Sequence, residues 1–469
     1  MSSAATETKR QSPRPEWLDR TLHRAYMKSA GPRYFFTRRI LPAGVGLAAV
    51  QVISCGLLIG YWNNDAVHQI FSLAFAIGFI AFFWMLARRA NIRAIRELPR
   101  YGTVDEVLRY HLHVTNLARR RLSHAWLSET APDPRPNYGD FRFSREPGEH
   151  ERNWFDRTLA YYRWKWLIYH RRLFEGGKAK LPLDLAPGET KMSTIEFIPL
   201  RRGVTQLEDL RVLLPDPFGL LQRCRRTQTA TSTLTVLPKR YRLPNFEMPG
   251  NTRFQIGGDA TANAIGNSGE FVGLRDYRPG DPLRQIHWKS WARTGRPIVK
   301  ELEDTFYPRY GLILDTFSTP NEREIFEAAV SVAASFVVTL DSGESLLDLM
   351  FIKDKAHMVT AGRGVARTET LLEVLAGVHS ESEPAFEPLT NLVLKHRELL
   401  TSCLVVLCGW DSHRAEFLQN LERGGVLCSA LVLGIGPRPQ DAPIPGQWLN
   451  VHQLEQDLHR LPRRLPTLN

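Results

Sequence analysis

Cysteine is scarce in this 469-residue chain: Cys55, Cys224, Cys403, Cys408 and Cys428 form no CxxC pair. That pattern excludes a disulfide framework and a cysteine-based zinc site, and it suits a reducing compartment. No GxxxxGK[ST], HExxH or GxSxG occurs, so a P-loop, a zincin helix and a nucleophile elbow are all missing. Gly434 and Gly436 make only a GxG. The 30 prolines and 33 glycines follow no period, which excludes collagen-like and low-complexity chains. No RNP or zinc-finger pattern accompanies the net charge of +12, so nucleic acid is not an expected partner.

What is present begins with two uncharged runs, Ile40–Trp62 and Ala66–Ala87, separated only by Asn63, Asn64 and Asp65. Each is long enough to cross ~30 Å of hydrocarbon as a helix, and soluble helices normally carry a polar face that these lack. Segment 1–39 holds nine Lys/Arg, and Arg88, Arg89, Arg93, Arg96 and Arg100 follow the second run, while the connecting loop holds none. The positive-inside rule therefore predicts a two-span membrane protein with both termini in the cytoplasm. Gly56 and Gly60 form a GxxxG, and Ala74 and Gly78 a second small pair, either able to let helices approach.

Two basic aromatic stretches suit a lipid surface. Leu18, Leu22 and Tyr26 share helical spacing with a stripe of Arg20, Arg24 and Lys28 beside them. In 153–174, Trp154, Arg163, Trp164, Lys165, Trp166 and Arg171 are candidates for an interface with membrane lipid. The alternative is a helix packed on its own domain.

From about 101 to 240 the pattern is strand-like. Val107–Asn116, Lys191–Pro199, Gln206–Leu214 and Thr231–Leu237 alternate apolar and polar residues, and Asp216-Pro217-Phe218-Gly219 has type I turn chemistry. The expected fold is an all-β, sandwich-like domain interrupted by a helical insertion at about 150–178. Between 306 and 436, short apolar strands alternate with amphipathic helices, which predicts a doubly wound α/β domain. Ligands in such folds gather at strand carboxyl ends, where Asp315 and Asp411 fall. Residues 437–469 read as a tail.

The sharpest local signal is the segment 265–305. Pro279-Gly280 makes a turn, Asp281 and Pro282 suit a helix start, and Gly295 suits a stop, so a single capped helix over 282–294 is expected. Arg275, Arg278, Arg284, Lys289, Arg293 and Arg296 crowd it among Asp276, Asp281, Glu301 and Glu303. Either these charges dock the helix on its own sheet, or Arg275, Tyr277, Asp281, Arg284, Trp288 and Arg293 form a docking site for an anion or a partner.

These residues carry a resemblance. Arg275, Tyr277, Pro279-Gly280-Asp281, Arg284, Ile286, Trp288 and Ala292-Arg293 resemble the signature of the family called domain of unknown function 58, and Arg201-Arg202-Gly203 and Asp216–Leu220 are similar to shorter upstream motifs. The resemblance implies a membrane-anchored β domain followed by a von Willebrand factor A-like domain. It also implies work beside AAA+ ATPases of the MoxR type. Asp315-Thr316-Phe317-Ser318-Thr319 resembles the Asp-x-Ser-x-Ser of a metal-ion-dependent adhesion site with Phe317 in place of one serine. Asp315 and Thr319, with Asp411 from another strand end, are the candidate ligands for Mg²⁺ or another divalent cation. The alternative is an aspartate capping its own turn.

The resulting expectation is a non-enzymatic scaffold or adaptor with no catalytic residue and no cofactor. Its rivals are a divalent-metal enzyme or binding module using Asp315 and Asp411, and a lipid-surface module using 153–174.

Overall fold

The computed structural model describes residues 15–467 apart from 61–64, 147, 245, 249–269, 304–307, 320–321, 341–344, 363–366, 382–384 and 440–445. Lys9, Arg10 and Arg14 of the basic N-terminal segment, Asn63 and Asn64 of the connecting loop, and residues 265–269 of the signature segment lie outside them. The chain forms two compact units. The first comprises Met1–Arg240, Ser318–Ala334 and Leu372–Ser382; the second comprises Tyr241–Phe317, Ser335–Leu371 and Glu383–Asn469.

The first unit opens with helix α1 (Glu16–Thr37) and the apolar pair α2 (Pro42–Gly60) and α3 (Asp65–Ala87). Both α2 and α3 are long and apolar enough to cross a membrane, and few of their residues are buried. Val52, Ile53, Ile59 and Leu73 are all more than half exposed. The small residues divide as packing demands: Ala74 is buried and Gly78 faces the Leu47 side chain, whereas Gly56 and Gly60 have open space. The Ala74/Gly78 face, not the GxxxG, makes the α2–α3 contact.

A sheet-rich domain follows, starting at 92, earlier than the 101 expected. Its first strands are β1 (Ile92–Glu97), β2 (Tyr101–Thr103), β3 (Leu108–Asn116) and β4 (Leu122–Thr130). Helices α4 (Tyr138–Phe143), α5 (Trp154–Leu159) and α6 (Tyr161–Arg171) interrupt it, so the insertion is 138–171 and leaves the chain at β5. Then come β5 (Phe174–Ala179), β6 (Leu183–Leu185), β7 (Thr190–Pro199), β8 (Gly203–Leu207), β9 (Asp209–Pro215), β10 (Gln222–Arg226) and β11 (Ser232–Leu237). One sheet runs β1-β3-β7-β5-β4-β9-β10 with β6 on β4, and a second runs β2-β11-β8. Alternation does the work: Leu108, Tyr110, Leu112 and Val114 of β3 point into one core with Leu207 of β8 and Leu234 and Val236 of β11. Inside it, Arg96 is bidentate to Glu129 (3.0 and 2.9 Å), which also accepts from the Tyr110 hydroxyl (2.8 Å).

In the second unit, β12 (Glu270–Asp276) and β13 (Ile298–Glu303) form a two-stranded antiparallel sheet carrying the short helix α7 (Trp288–Thr294). The chain continues through β14 (Arg309–Leu314), α8 (Arg323–Thr339), β15 (Leu346–Lys353), β16 (Lys355–Ala361), α9 (Thr368–Gly377), α10 (Glu387–His396), β17 (Ser402–Cys408), α11 (Ser412–Arg423) and β18 (Cys428–Gly434), with α8 up to Ala334 and α9 from Leu372 counted in the first unit. A six-stranded mixed sheet, β16-β15-β14-β17-β18 with Gln447–Asn450 (β19) beside β18, is parallel except for β16. The expected tail is wrong: β19 (Gln447–Asn450) pairs with β18, and α12 (Leu454–His459) buries Leu454 and Leu458. Prolines flanking so short a strand hide it in the sequence.

Candidate functional site

The signature segment is an arm built on a two-stranded sheet, and its helix is shorter than 282–294. Residues Leu283–Gln285 make one 3-10 turn, Ile286 is extended, and α7 begins at Trp288. The reason is packing. Ile286 is buried against Val299 of β13 as an isolated bridge, and the His287 amide donates to the Ile298 carbonyl (2.8 Å), which a continuous helix would forbid.

Asp281 accordingly caps no helix. It takes both Arg275 guanidinium donors (2.7 and 2.7 Å) and the Arg278 amide (2.8 Å), closing the turn around Gly280. The Arg275 hydrogen bonds hold the Asp281 carboxyl down at about 2. The Tyr277 amide donates to the Pro297 carbonyl (3.0 Å), fastening the end of β12 to the start of β13.

On this frame Trp288 and Trp291 stack with ring centroids 5.3 Å apart. Trp288 is 64% exposed and Leu283 68%, with Phe271 and Leu274 also exposed. The side chains of Arg284, Lys289 and Arg293 are exposed and have no partner among the described residues. Of the six predicted docking residues, then, Arg275, Tyr277 and Asp281 build the arm, and Arg284, Trp288 and Arg293 are left for something else. Leu283 and Phe271 join them; sequence reading missed both because an apolar residue beside a strand or turn is ordinarily core.

The second candidate lies at the carboxyl ends of β14 and β17, neighbouring parallel strands. Asp315 is fully buried. Its oxygens accept from the amides of Phe317 (2.8 Å) and Cys408 (2.9 Å) and from Arg414 Nε (2.6 Å). Arg414 also donates to the Phe317 carbonyl (2.6 Å) and pairs with Asp411, the N-cap of α11. Burial pushes the Asp315 carboxyl up, and Arg414 and the two amides pull against it. The guanidinium is hydrogen-bonded to one carboxylate oxygen each of Asp315 and Asp411, two of the three candidate cation ligands. The Thr319 hydroxyl donates to Glu322 (2.9 Å). Among the described residues no group of three or more His, Cys, Asp or Glu could hold a metal. The signal for Arg414 was available, as an Asp-x-x-Arg at a helix start.

The third candidate, 153–174, divides. It is two helices, broken at Ala160 with φ 51°. Arg163 and Trp164 are not lipid-facing: Arg163 is 2% exposed and paired with Glu149, and Trp164 packs with Phe141 and Leu167 in a small core that Leu22 and Tyr26 of α1 also touch. Arg171 pairs with Asp140 (2.5 Å) and Trp166 is half-buried. Trp154 (71% exposed) and Lys165 do face outward.

Residues 273–405 match the family described as "Protein of unknown function DUF58". The "Uncharacterized protein YeaD" of Bacillus subtilis is 26% identical over 189 residues, 40% of this chain and 46% of that protein, so the matched region spans under half of this relative. Among solved structures, the CARDB domain of a Pyrococcus furiosus protein aligns at 12% identity over 31% of this chain and 94% of that one, TM-score 0.16. Escherichia coli alpha-2-macroglobulin, from domain MG7 to its C-terminus, aligns at 12% identity over 66% of this chain and 42% of that one, TM-score 0.17. Scores that low carry no argument about the fold.

Proposed function

We propose that this protein is a non-enzymatic scaffold of a bacterial inner membrane. On this reading α2 and α3 cross the bilayer, both termini are cytoplasmic, and the α/β domain is of the von Willebrand factor A type. The partner is an acidic protein surface, and the resemblance to the domain of unknown function 58 family points to a MoxR-type AAA+ ATPase. The observation that carries the reading is the arm: a two-stranded sheet, marginal by itself, that exposes Phe271, Leu274, Leu283 and Trp288 among cations without a partner among the described residues. A basic aromatic surface on a frame fixed by Arg275 and Asp281 suits protein recognition, where Trp and Arg dominate binding energy. The exposed apolar faces of α2 and α3 support the membrane assignment, since water would penalise them.

Affinity purification of the full chain from its own cells in mild detergent tests this. Trp288→Ala and Arg293→Gln are each expected to lose the co-purifying ATPase with an unchanged melting midpoint, because neither side chain is buried. Retention of the partner by the double variant overturns the proposal.

One further reading has an observation of its own. Trp154, Phe155, Tyr161 and Tyr169 are exposed on α5 and α6, next to Lys165. This face suits the headgroup region of a bilayer. Its test is brominated-lipid quenching of the full chain, which should fall in Trp154→Phe to the level set by the membrane-span Trp84, while an unchanged quench would remove this face from the bilayer.

A further inference from the structure

A groove of 330 Å³ runs along the α2–α3 pair. Leu47 and Ala48 of α2, Phe75 and Phe79 of α3, and Leu220 and Leu221 of the β9–β10 turn line it. From Ala74 to Phe82 the α3 wall is about 12 Å long, most of one leaflet of a ~30 Å hydrocarbon core. The turn is seated firmly on the helix. The Leu41 amide donates to the Leu220 carbonyl (2.9 Å), the Gln222 amide to the Arg39 carbonyl (2.8 Å), and a Cβ on Gly44 would meet the Leu220 oxygen at 2.2 Å.

The same junction gathers positive charge at the groove mouth. Arg88 donates to the carbonyls of Pro215 (3.0 Å) and Ser123 (2.5 Å). Arg223 donates to the carbonyls of Met85 (3.3 Å), Leu86 and Arg88 (2.8 Å), closing the end of α3. Arg89 and Arg225 are exposed, with no side-chain partner among the described residues. Desolvation first, then the charges of Arg225, Arg89 and Arg39, lower the affinity of Arg223 for its proton, so Arg223 lies within the field of each of the three. The acidic residue of the turn, Asp216, accepts from the amides of Leu220 (2.7 Å) and Leu221 (3.1 Å) and makes no ion pair with these arginines among the described residues. The positive end of the α2 dipole adds to the same field.

We propose that this junction binds one anionic glycerophospholipid, with an acyl chain along the groove and the phosphate against Arg39, Arg89, Arg223 and Arg225. An apolar slot most of a leaflet deep beneath clustered guanidiniums matches an amphiphile with a negative head, and guanidinium suits phosphate geometry. The site rests on the reading that α2 and α3 span a bilayer.

The test is native mass spectrometry and thermal melting of the full chain in neutral detergent. Phosphatidylglycerol is compared with phosphatidylcholine of identical chains. One retained phosphatidylglycerol per chain and a raised midpoint with that lipid alone are expected. Arg89→Gln with Arg225→Gln should cut the anionic preference roughly 30-fold, the contribution of two surface cations. Ala48→Trp, which fills the groove, should abolish retention with the arginines intact. Equal binding of the two lipids, retention in both variants, or a second copy of the chain occupying the groove overturns the proposal. Recovery of the chain from the soluble fraction without detergent overturns the membrane reading and this site with it. A detergent-requiring chain without lipid preference sinks the site alone.

Discussion

Arg414 shows how a single residue decides what a strand-end site can be. Its guanidinium neutralises fully buried Asp315 and exposed Asp411 together, while two backbone amides complete the shell of Asp315. A buried pair is a poor source of net stability, but removing one partner strands a charge in low dielectric. Arg414→Met is therefore expected to cost about 3–5 kcal/mol in denaturant unfolding. Adding Asp315→Asn should recover most of that loss, since the amide oxygen still accepts from a backbone N–H and no charge remains buried. A single variant as stable as the parent would show that Asp315 is held by its amides alone. The sequence pointed to Asp315 and Asp411 by their places after apolar strands. The Asp411-x-x-Arg414 half of the cluster was local, but 99 residues separate Arg414 from Asp315, and nothing in the sequence joined that half to the buried carboxylate.

At the scale of the element, the signature arm was legible in its chemistry and not in its shape. Pro279-Gly280 gave the turn and the alternation of 297–302 gave β13, and both are present. The helix was overestimated because Asp281 and Pro282 look like a cap, whereas Arg275 claims the aspartate and Val299 claims Ile286. This clamp has a pH signature. The Asp281 carboxyl falls to about 2 in the fold, against ~3.9 in an unfolded chain. A depressed carboxylate contributes stability that is fully present above the unfolded value and is lost as pH falls through the folded one. Amide protection across β12 and β13, corrected for intrinsic exchange rates, is expected to hold from neutral pH to about 4 and to collapse between about 4 and 2. Asp281→Asn should show the collapsed pattern already at neutral pH. Equal protection in that variant would mean the arm is held by its backbone ladder without the clamp.

Across the whole molecule, the legible features were those written in contiguous residues: the two apolar runs, the alternating strands of the first domain, and the apolar strands of the second. What stayed hidden depends on partners far away in the chain. Within the first unit Arg202 pairs with Glu327 and donates to the Val378 carbonyl (2.8 Å), contacts spanning 125 and 176 residues. The Arg201-Arg202-Gly203 motif shows no reason for itself until those contacts are seen. Orientation, by contrast, is a contiguous signal, and it makes the membrane reading testable. Arg88, Arg89, Arg93, Arg96 and Arg100 follow α3 directly, and no Lys or Arg lies between the two apolar runs. Retention of basic flanks on the cytoplasmic side predicts that a reporter fused after residue 469 is active only in the cytosol. Two lysines placed at 63 and 64, combined with Arg88→Gln and Arg89→Gln, narrow the charge difference and should send a measurable fraction of chains the opposite way. A reporter at 469 that reads periplasmic in the parent chain would reverse the topology. The arm, the Arg414 cluster and the arginine-rich groove mouth would then all face the other side of the bilayer, away from any cytosolic ATPase.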